Sequence, residues 1–463
     1  MNKINITLSK YEKKYMVICI LTVLLCLNTE MPVFAANYYV TPAGAGAKSG
    51  TDWNNALQGP PAIWSRGDTY YFASGSYPRL VIADVLGAGT VTIKKANSSE
   101  CSGVAGWNPV YGSGTATFIS TQYPHTIKVS NIVIDGQYRG TDWKSGYGLK
   151  FVNTYTANYT NGLQFENVIS DITVRYVEVS LDETNQNTTN TVYMNALNQD
   201  DISNITFQYC YLHSGSQDII LMRKLNNITI DGCYIARNII TGATHGQGIS
   251  NDCSNNVTIR NSVFEDIQSS GQICSGMSLT CTSDNWKIYN NVFFKTSNPP
   301  SPWTNPAGIR NWNGYGTKNY WSIINNTFVN IGGNNATMMI EFPAGSVGNV
   351  AYNNIFYNCG DGNAVAISAN VTHDYNWYYG MTNKPAEKNR IDGSGNPFVN
   401  STFYNFHLKE GSNAINTGKS DLGSPYNVDK DIKPRGSSWD VGAFVYSTSL
   451  LMAPSNFRKM NTN

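Results

Sequence analysis

One short phrase recurs through the middle of this chain: two polar residues, an apolar–polar–apolar triplet, then Asn or another small polar residue. It reads Asn-Asn-Ile-Thr-Ile from Asn226, Asn-Asn-Val-Thr-Ile from Asn255, Asp-Asn-Trp-Lys-Ile from Asp284 and Asn-Tyr-Trp-Ser-Ile from Asn319, with related phrases from Ser130, Ser170, Ser203 and Gly348. The first apolar residues are Ile132, Ile172, Ile205, Ile228, Val257, Trp286, Trp321 and Val350, spaced by 40, 33, 23, 29, 29, 35 and 29 residues. A fixed phrase at a loosely fixed period predicts a solenoid in which each turn stacks on the one before.

Each repeat carries a second extended run some 15 to 20 residues later, at 218–222, 246–250, 276–280, 337–341 and 364–368. Alternation over five residues is a strand signal, and no 3.6-residue apolar period separates the runs. Short strands joined by Gly, Asn and Ser turns, without crossover helices, predict an all-β fold, a parallel β-helix. Aligned on the phrase, Asn261, Asn290, Asn325 and Asn354 fall at one position, where stacked inward side chains satisfy a sharp corner. The many Asn-x-Ser/Thr triplets read as grammar of that ladder, with glycosylation as the lesser alternative.

Residues 1–35 look like a secretory signal peptide. Lys3, Lys10, Lys13 and Lys14 precede an apolar run from Met16 to Leu27, and Val33-Phe34-Ala35 makes a small-residue exit. The expected product is a secreted monomer without a transmembrane segment: one domain over 36–446, then a flexible tail over 447–463. Removing the leader takes four lysines from the 32 basic residues and two from the 31 acidic ones, leaving a net charge of −1. With no basic run, nucleic acid is excluded as a partner. Seven cysteines remain, an odd count that leaves at least one thiol unpaired. Cys210 and Cys233 share the 23-residue step of Ile205 to Ile228, which predicts stacked interior thiols, with a disulfide as the alternative. No Cys or His spacing suggests zinc, and no metal site is assigned.

At this point the chain resembles the right-handed parallel β-helix superfamily, which includes pectate and alginate lyases and polygalacturonases. The likeness covers roughly 37–380. Asn37-Tyr-Tyr-Val-Thr-Pro-Ala-Gly looks like the leading strand of secreted β-helix proteins, and the run from Gly67 to Tyr77 like their first coil. The tail, from Asn396-Pro-Phe-Val-Asn through Gly411–Gly418, Asp431-Ile-Lys-Pro-Arg435 and Asp440–Phe444, resembles the closing segment of bacterial surface proteins of the choice-of-anchor Q type. There Arg435 is expected to pair with Asp431 or Asp440 in a structural ion pair.

The resemblance implies an extracellular polysaccharide as partner, laid along one sheet. Placing the second strands in register on Ile249, Leu279, Ile309, Ile340 and Ile367 puts Ser250, Thr280, Arg310, Glu341 and Ser368 facing out. Asp218, Arg223 and His245 then join Arg310 and Glu341 as candidate catalytic residues, against the plainer reading of scattered solvated charges. A lyase needs a base and a cation to stabilise enolate-like charge, Ca²⁺ or Arg. Arg223, Lys224, Arg260 and Arg310 are available, with Asp200, Asp201, Asp218 and Asp252 as carboxylates. No tight acidic cluster marks calcium, and Asp200-Asp201 sits where turn residues are expected. A glycoside hydrolase needs two opposed carboxylates. The polygalacturonase pattern is only echoed, by Ser216-Gln-Asp218 and Thr244-His-Gly246. Trp303, Trp312 and Tyr315, in a Pro- and aromatic-rich insert, are candidate sugar-stacking residues, or else cover the flank of the helix. Two readings stand: a polysaccharide-cleaving enzyme, lyase before hydrolase, and a non-catalytic surface or adhesive protein.

Overall fold

The computed structural model describes residues 35–448, apart from 159, 185–188, 238–245, 268–270, 276–280, 297–306, 313–315, 333–337 and 361–365. Nearly all of the expected leader, and residues 449–463 of the expected tail, lie outside the described residues. From Asn37 onward the chain forms one compact unit.

The molecule is a right-handed parallel β-helix built on three parallel sheets of 13, 12 and 9 strands. They are called here the first, second and third sheets, in the order a coil visits them. One coil runs through Ile169–Arg175, Val177–Leu181 and Asn190–Asn195 before Ile202–Gln208 begins the next. The recurring phrase forms the first sheet. Ile132, Ile172, Ile205, Ile228 and Val257 follow one another rung by rung, and all are fully buried. Inside, Phe264, Phe293, Phe328, Phe356 and Tyr378 stack with centroid separations of 4.6, 4.6, 5.1 and 5.3 Å. Trp286 lies on Trp321 at 4.3 Å, nearly parallel. Each such pair adds about 0.5–1.5 kcal/mol beyond its buried area.

The phrase slips at its last repeat. Ser322, not Trp321, pairs with Val350, so Trp321 stands opposite Asn349 and the step is 28 residues. Alternation misleads there because the outer face is also apolar. Val350 and Tyr352 pack against Tyr426 and Trp439 of the closing segment.

That slip divides the expected Asn column into two. Asn261, Asn290, Asn325 and Asn353 occupy the corner between the first and second sheets, with φ of 53–57°. Asn tolerates this left-handed conformation better than other side chains. One residue later, Asn291, Asn326, Asn354 and Asn376 point inward and are fully buried. Each side-chain oxygen there accepts from the backbone N–H of the rung before, at 2.9–3.0 Å: Asn326 serves Asn291, Asn354 serves Asn326, and Asn376 serves Asn354. Each Nδ2 donates to a carbonyl of the first sheet, such as Asn326 to Ile288 at 2.9 Å. Ser262 opens this ladder and the buried Glu387 closes it, accepting from both the backbone N–H and the Nδ2 of Asn376.

The corner column serves another purpose. Asn261 accepts from Lys430 through its carbonyl, while Asn290, Asn325 and Asn353 donate to the carbonyls of Val428, Tyr426 and Lys419. The closing segment therefore folds back along the flank, with Phe406, Leu408, Val441 and Phe444 packed on the outer face of the second sheet. Arg435 is buried there, but its guanidinium donates to the carbonyls of Asp440 and Gly442 and to Asn290 Oδ1. Asp431 pairs with His407 at 2.8 Å. The expected ion pair is thus replaced by carbonyl acceptors, because a segment that lacks strand partners presents its own carbonyls inward.

Cys210 and Cys233 are buried free thiols on adjacent rungs, as the spacing suggests. The disulfide joins Cys253 to Cys281 instead. It joins the residue after strand Gln247–Asp252 to the connection after Gly271–Ser275 one coil on, at a separation of 28 residues, one short of the 29-residue step from Val257 to Trp286.

Replacing Asn326 by Ala removes the acceptor for Asn291 N–H and leaves buried groups unpaired. The expected loss is about 1–3 kcal/mol for each group stranded, read from urea or guanidinium unfolding; an unchanged midpoint means the ladder carries no stability.

Candidate functional site

The outer face of the third sheet gathers four of the candidate residues. In each strand two successive residues turn inward. Ile219 and Ile220 both enter the core, so Asp218 and Leu221 both face out. One outer column runs Asn161, Asn190, Asp218, Gln247, Gly271 and Ala307. The next runs Gln164, Tyr193, Leu221, Ser250, Cys274, Arg310 and Glu341. The two columns come close at Gly271, where a Cβ would lie 3.0 Å from Cys274 Sγ.

The register expected from the sequence fails at one rung. Ile273, not Leu279, stands between Ile249 and Ile309, so Cys274 takes the place assigned to Thr280. The apolar run chosen at 276–280 lies outside the described residues. His245, Trp303 and Tyr315 also lie outside them. Arg260 belongs elsewhere: it pairs with Asp231 at 2.8 Å on the outer face of the first sheet. Asp200, at φ 67°, and Asp201, which accepts from Asn198 N–H at 2.8 Å, are turn residues as expected.

Asp218 is the residue that asks for an explanation. It is 1% exposed, and neither carboxylate oxygen has a hydrogen-bond partner. Its rung neighbours share the condition, since Asn190 Oδ1 and Gln247 Oε1 are buried acceptors without a donor. Asn190 spends its amide N–H on Asn161 Oδ1 at 3.0 Å, which fixes the oxygen as the unpaired end. Burial pushes the Asp218 carboxyl well above the usual carboxylate range, opposed by the charge of Arg223. Burying unpaired acceptors costs free energy, and such groups in clefts are a mark of function.

Further along, Glu341 Oε2 lies 3.1 Å from Arg310 Nε, and the Arg310 guanidinium sits 5.1 Å from the centre of the Trp312 ring. Cys274 lies between the two ends of the face. Burial pushes its thiol up, and the charges of Arg310, Asp218 and Glu341 all act on it. A cysteine in this position gave no sequence signal, because its strand was assigned to other residues.

A second polar network lies on the outer face of the second sheet. Glu178 meets Lys150 at 2.5 Å and His213 Nε2 at 3.2 Å, while His213 Nδ1 lies 2.7 Å from Ser214 Oγ. Sequence reasoning missed it, since its members come from three coils and share no motif.

A lyase of the kind the sequence resembles stabilises the enolate-like charge with Ca²⁺ or Arg. Calcium takes six to eight oxygens and several carboxylates. The Asp218 column offers one carboxylate between two amides, with the Arg223 charge acting on it. These residues do not fit a calcium site. Among the described residues the one close donor group is Asp252, Cys253 and Cys281, and both sulfurs are held in the disulfide. No described helix is long and apolar enough to cross a membrane.

No protein-family model matches the chain, and no curated protein sequence matches it. Among solved structures the chain is similar to a pectate lyase, Pel9A, over 89% of its own length and 97% of that chain, with 15% identity and a TM-score of 0.50. A rhamnogalacturonan lyase aligns over 79% of this chain and 91% of its own, at 11% identity and a TM-score of 0.47. PfbA, a surface adhesin of Streptococcus pneumoniae, aligns over 68% and 83%, at 12% identity and a TM-score of 0.38. The first likeness shows the fold: a parallel β-helix like that of the pectate lyase.

The raised proton affinity of Asp218 has a measurable sign. The folded state binds this proton more tightly than the unfolded chain, where Asp titrates near 3.9. Stability therefore falls as pH rises from about 3.9 to the raised native value, and it is regained on acidification through the same window. Asp218→Asn should be more stable than the parent at pH 7, and the gap should close on acidification. A thermal-denaturation pH series showing no gap would sink the assignment.

Proposed function

We propose that this protein is exported and cleaves an acidic polysaccharide laid along the outer face of the third sheet, by elimination beside a uronate carboxyl. The observation that carries this reading is the buried, unpaired Asp218 carboxylate, flanked by orphaned amide oxygens and within reach of the Arg223 charge. The apolar run behind the leading lysines supports export, and the pectate lyase likeness supports the substrate class.

A carboxylate whose proton affinity is raised by burial is a stronger base than an ordinary carboxylate, which suits it to proton transfer. In this reading Asp218 takes the proton from the carbon beside the uronate carboxyl. The electron pair left behind forms the new carbon–carbon double bond, the bond to the glycosidic oxygen breaks, and Asp218 returns the proton to that oxygen. Arg223 faces the uronate carboxylate and stabilises the enolate-like charge. Asn190 Oδ1 and Gln247 Oε1 accept from sugar hydroxyls, which supplies the donors those buried oxygens lack. Hydrolysis would need a second carboxylate opposed to Asp218. In its own column the flanking positions are amides, and Glu341 is engaged by Arg310.

A non-catalytic adhesive role is the second reading, favoured by the burial of Asp218, which keeps its carboxylate beneath the surface. Mass spectrometry of products from residues 36–463 incubated with a panel of uronate polymers separates the two. Oligomers one water lighter than hydrolysis products are expected. Full-mass oligomers indicate a hydrolase, and no products across the panel favour adhesion. Asp218→Asn should lower turnover by about 10²–10⁴-fold, the range of general acid–base catalysis, and a chelator should leave the parent rate unchanged. Full activity in that variant overturns the assignment of Asp218.

A further inference from the structure

We infer that Glu166 is a positioning residue for this face: through Gln164 and Asn161 it holds the Asn190 amide with its oxygen left for the ligand, so the sugar bound there must bring a free hydroxyl and an O-acylated sugar is excluded. This rests on reading the face as a polysaccharide site and names the substrate class more narrowly, as a polymer with unsubstituted ring hydroxyls.

Three amides and a carboxylate are joined in one row. Asn190 Nδ2 donates to Asn161 Oδ1 at 3.0 Å, Asn161 Nδ2 to Gln164 Oε1 at 2.9 Å, and Gln164 Nε2 to Glu166 Oε1 at 3.0 Å. Lys128 Nζ pairs with the other oxygen of Glu166 at 2.8 Å. The strand pattern makes the row possible. Leu163 and Phe165 enter the core, which leaves Asn161, Gln164 and Glu166 along the outer side of one strand and its exit, and Asn190 joins from the next rung.

An amide has donors at one end and an acceptor at the other, and it can turn over. An ionised carboxylate only accepts. Glu166 therefore sets the sense of the whole row: the Gln164 atom beside it must be nitrogen, which leaves oxygen for Asn161, and so on to Asn190. Turning Asn190 over alone would set two oxygens face to face at Asn161. Turning all three amides would set the Gln164 oxygen against Glu166. Asn161 and Asn190 are 7% and 5% exposed, so water is not at hand to repair such a contact.

The consequence is chemical. Asn190 Oδ1 has no donor within the protein. A sugar hydroxyl supplies one, whereas an ester in the same place supplies only acceptors. A site built to pair a hydroxyl rejects an analogue that lacks it. The carboxylate at the end of the row thus selects what the substrate carries two amides beyond Gln164.

The test passes polymer over the immobilised full chain in continuous flow, so that turnover cannot exhaust the ligand. The probes are polygalacturonate and the same polymer O-acetylated on its ring hydroxyls. The parent should bind the free polymer about tenfold tighter, the scale of one hydrogen bond. Glu166→Gln offers Gln164 an N–H, lets the row run either way, and should bring the two affinities within about twofold of each other. Lys128→Gln leaves the acceptor-only end in place and should keep the preference. Exchanging the pair, Gln164→Glu with Glu166→Gln, moves the carboxylate one place along the row, where it still only accepts from Asn161, so the preference should return. A merely structural role for Glu166 predicts no such return.

Equal binding of both polymers by the parent overturns the proposal. So does a preference that Glu166→Gln leaves intact, that Lys128→Gln abolishes or that the exchange fails to restore. If Glu166→Gln does not fold, the parent and the exchanged protein decide. Binding of neither polymer overturns the polysaccharide reading together with this one. Cleavage is read separately, from the products of the parent, so a preference without products removes the elimination mechanism and leaves the role of Glu166 standing.

Discussion

The sharp corner between the first and second sheets is the constraint on which the rest of the molecule depends. A parallel coil turns there within one residue, which forces that residue into the left-handed region and leaves backbone N–H groups beyond the reach of the regular ladder. The chain solves both problems with consecutive asparagines. The first, as at Asn290 and Asn325, accepts the strained conformation. The second, as at Asn291 and Asn326, turns inward and gives its oxygen to the N–H of the rung before. Because each rung completes the one beside it, the arrangement needs neighbours on both sides and ends in a different group, the buried Glu387.

Two columns of buried amides on one molecule thus behave in opposite ways. In the corner ladder every described oxygen from Asn291 to Asn376 finds an N–H, and the result is rigidity. On the outer face of the third sheet, Asn190, Asp218 and Gln247 stack with the same rung spacing, yet their oxygens find no donor. Chemically similar residues in the same geometry differ only in whether the backbone beside them still has an N–H to give. In the straight part of a sheet the ladder has used them all. Acceptors placed there are therefore left for something other than the fold, and that is what separates a site from a scaffold in this protein.

The strand periodicity, the stacked Ile and Val positions and the extended second runs were readable because inward and outward residues alternate wherever one face is wet. The reading slipped by one residue at Val350, where Tyr426 and Trp439 cover the outer face and make both sides apolar. It slipped again at Leu279, where an apolar run looked like the strand that Gly271–Ser275 forms. Asp218, Arg223, Arg310 and Glu341 were legible as a group, since register alone puts them on one face. Cys274 was not, nor was the Lys150–Glu178–His213 network, whose members meet only through coils of unequal length.

By itself, then, the sequence determined that this chain stacks as a parallel solenoid, where most of its rungs lie and which face carries charge, because those properties follow from period and alternation. The tertiary structure alone decided which Asn satisfies its neighbour, that Arg435 is met by carbonyls, and that the carboxylate of Asp218 is left unpaired. Those outcomes depend on whether a given polar atom finds a partner across rungs or from the closing segment, a question of three-dimensional proximity that no spacing along the chain encodes.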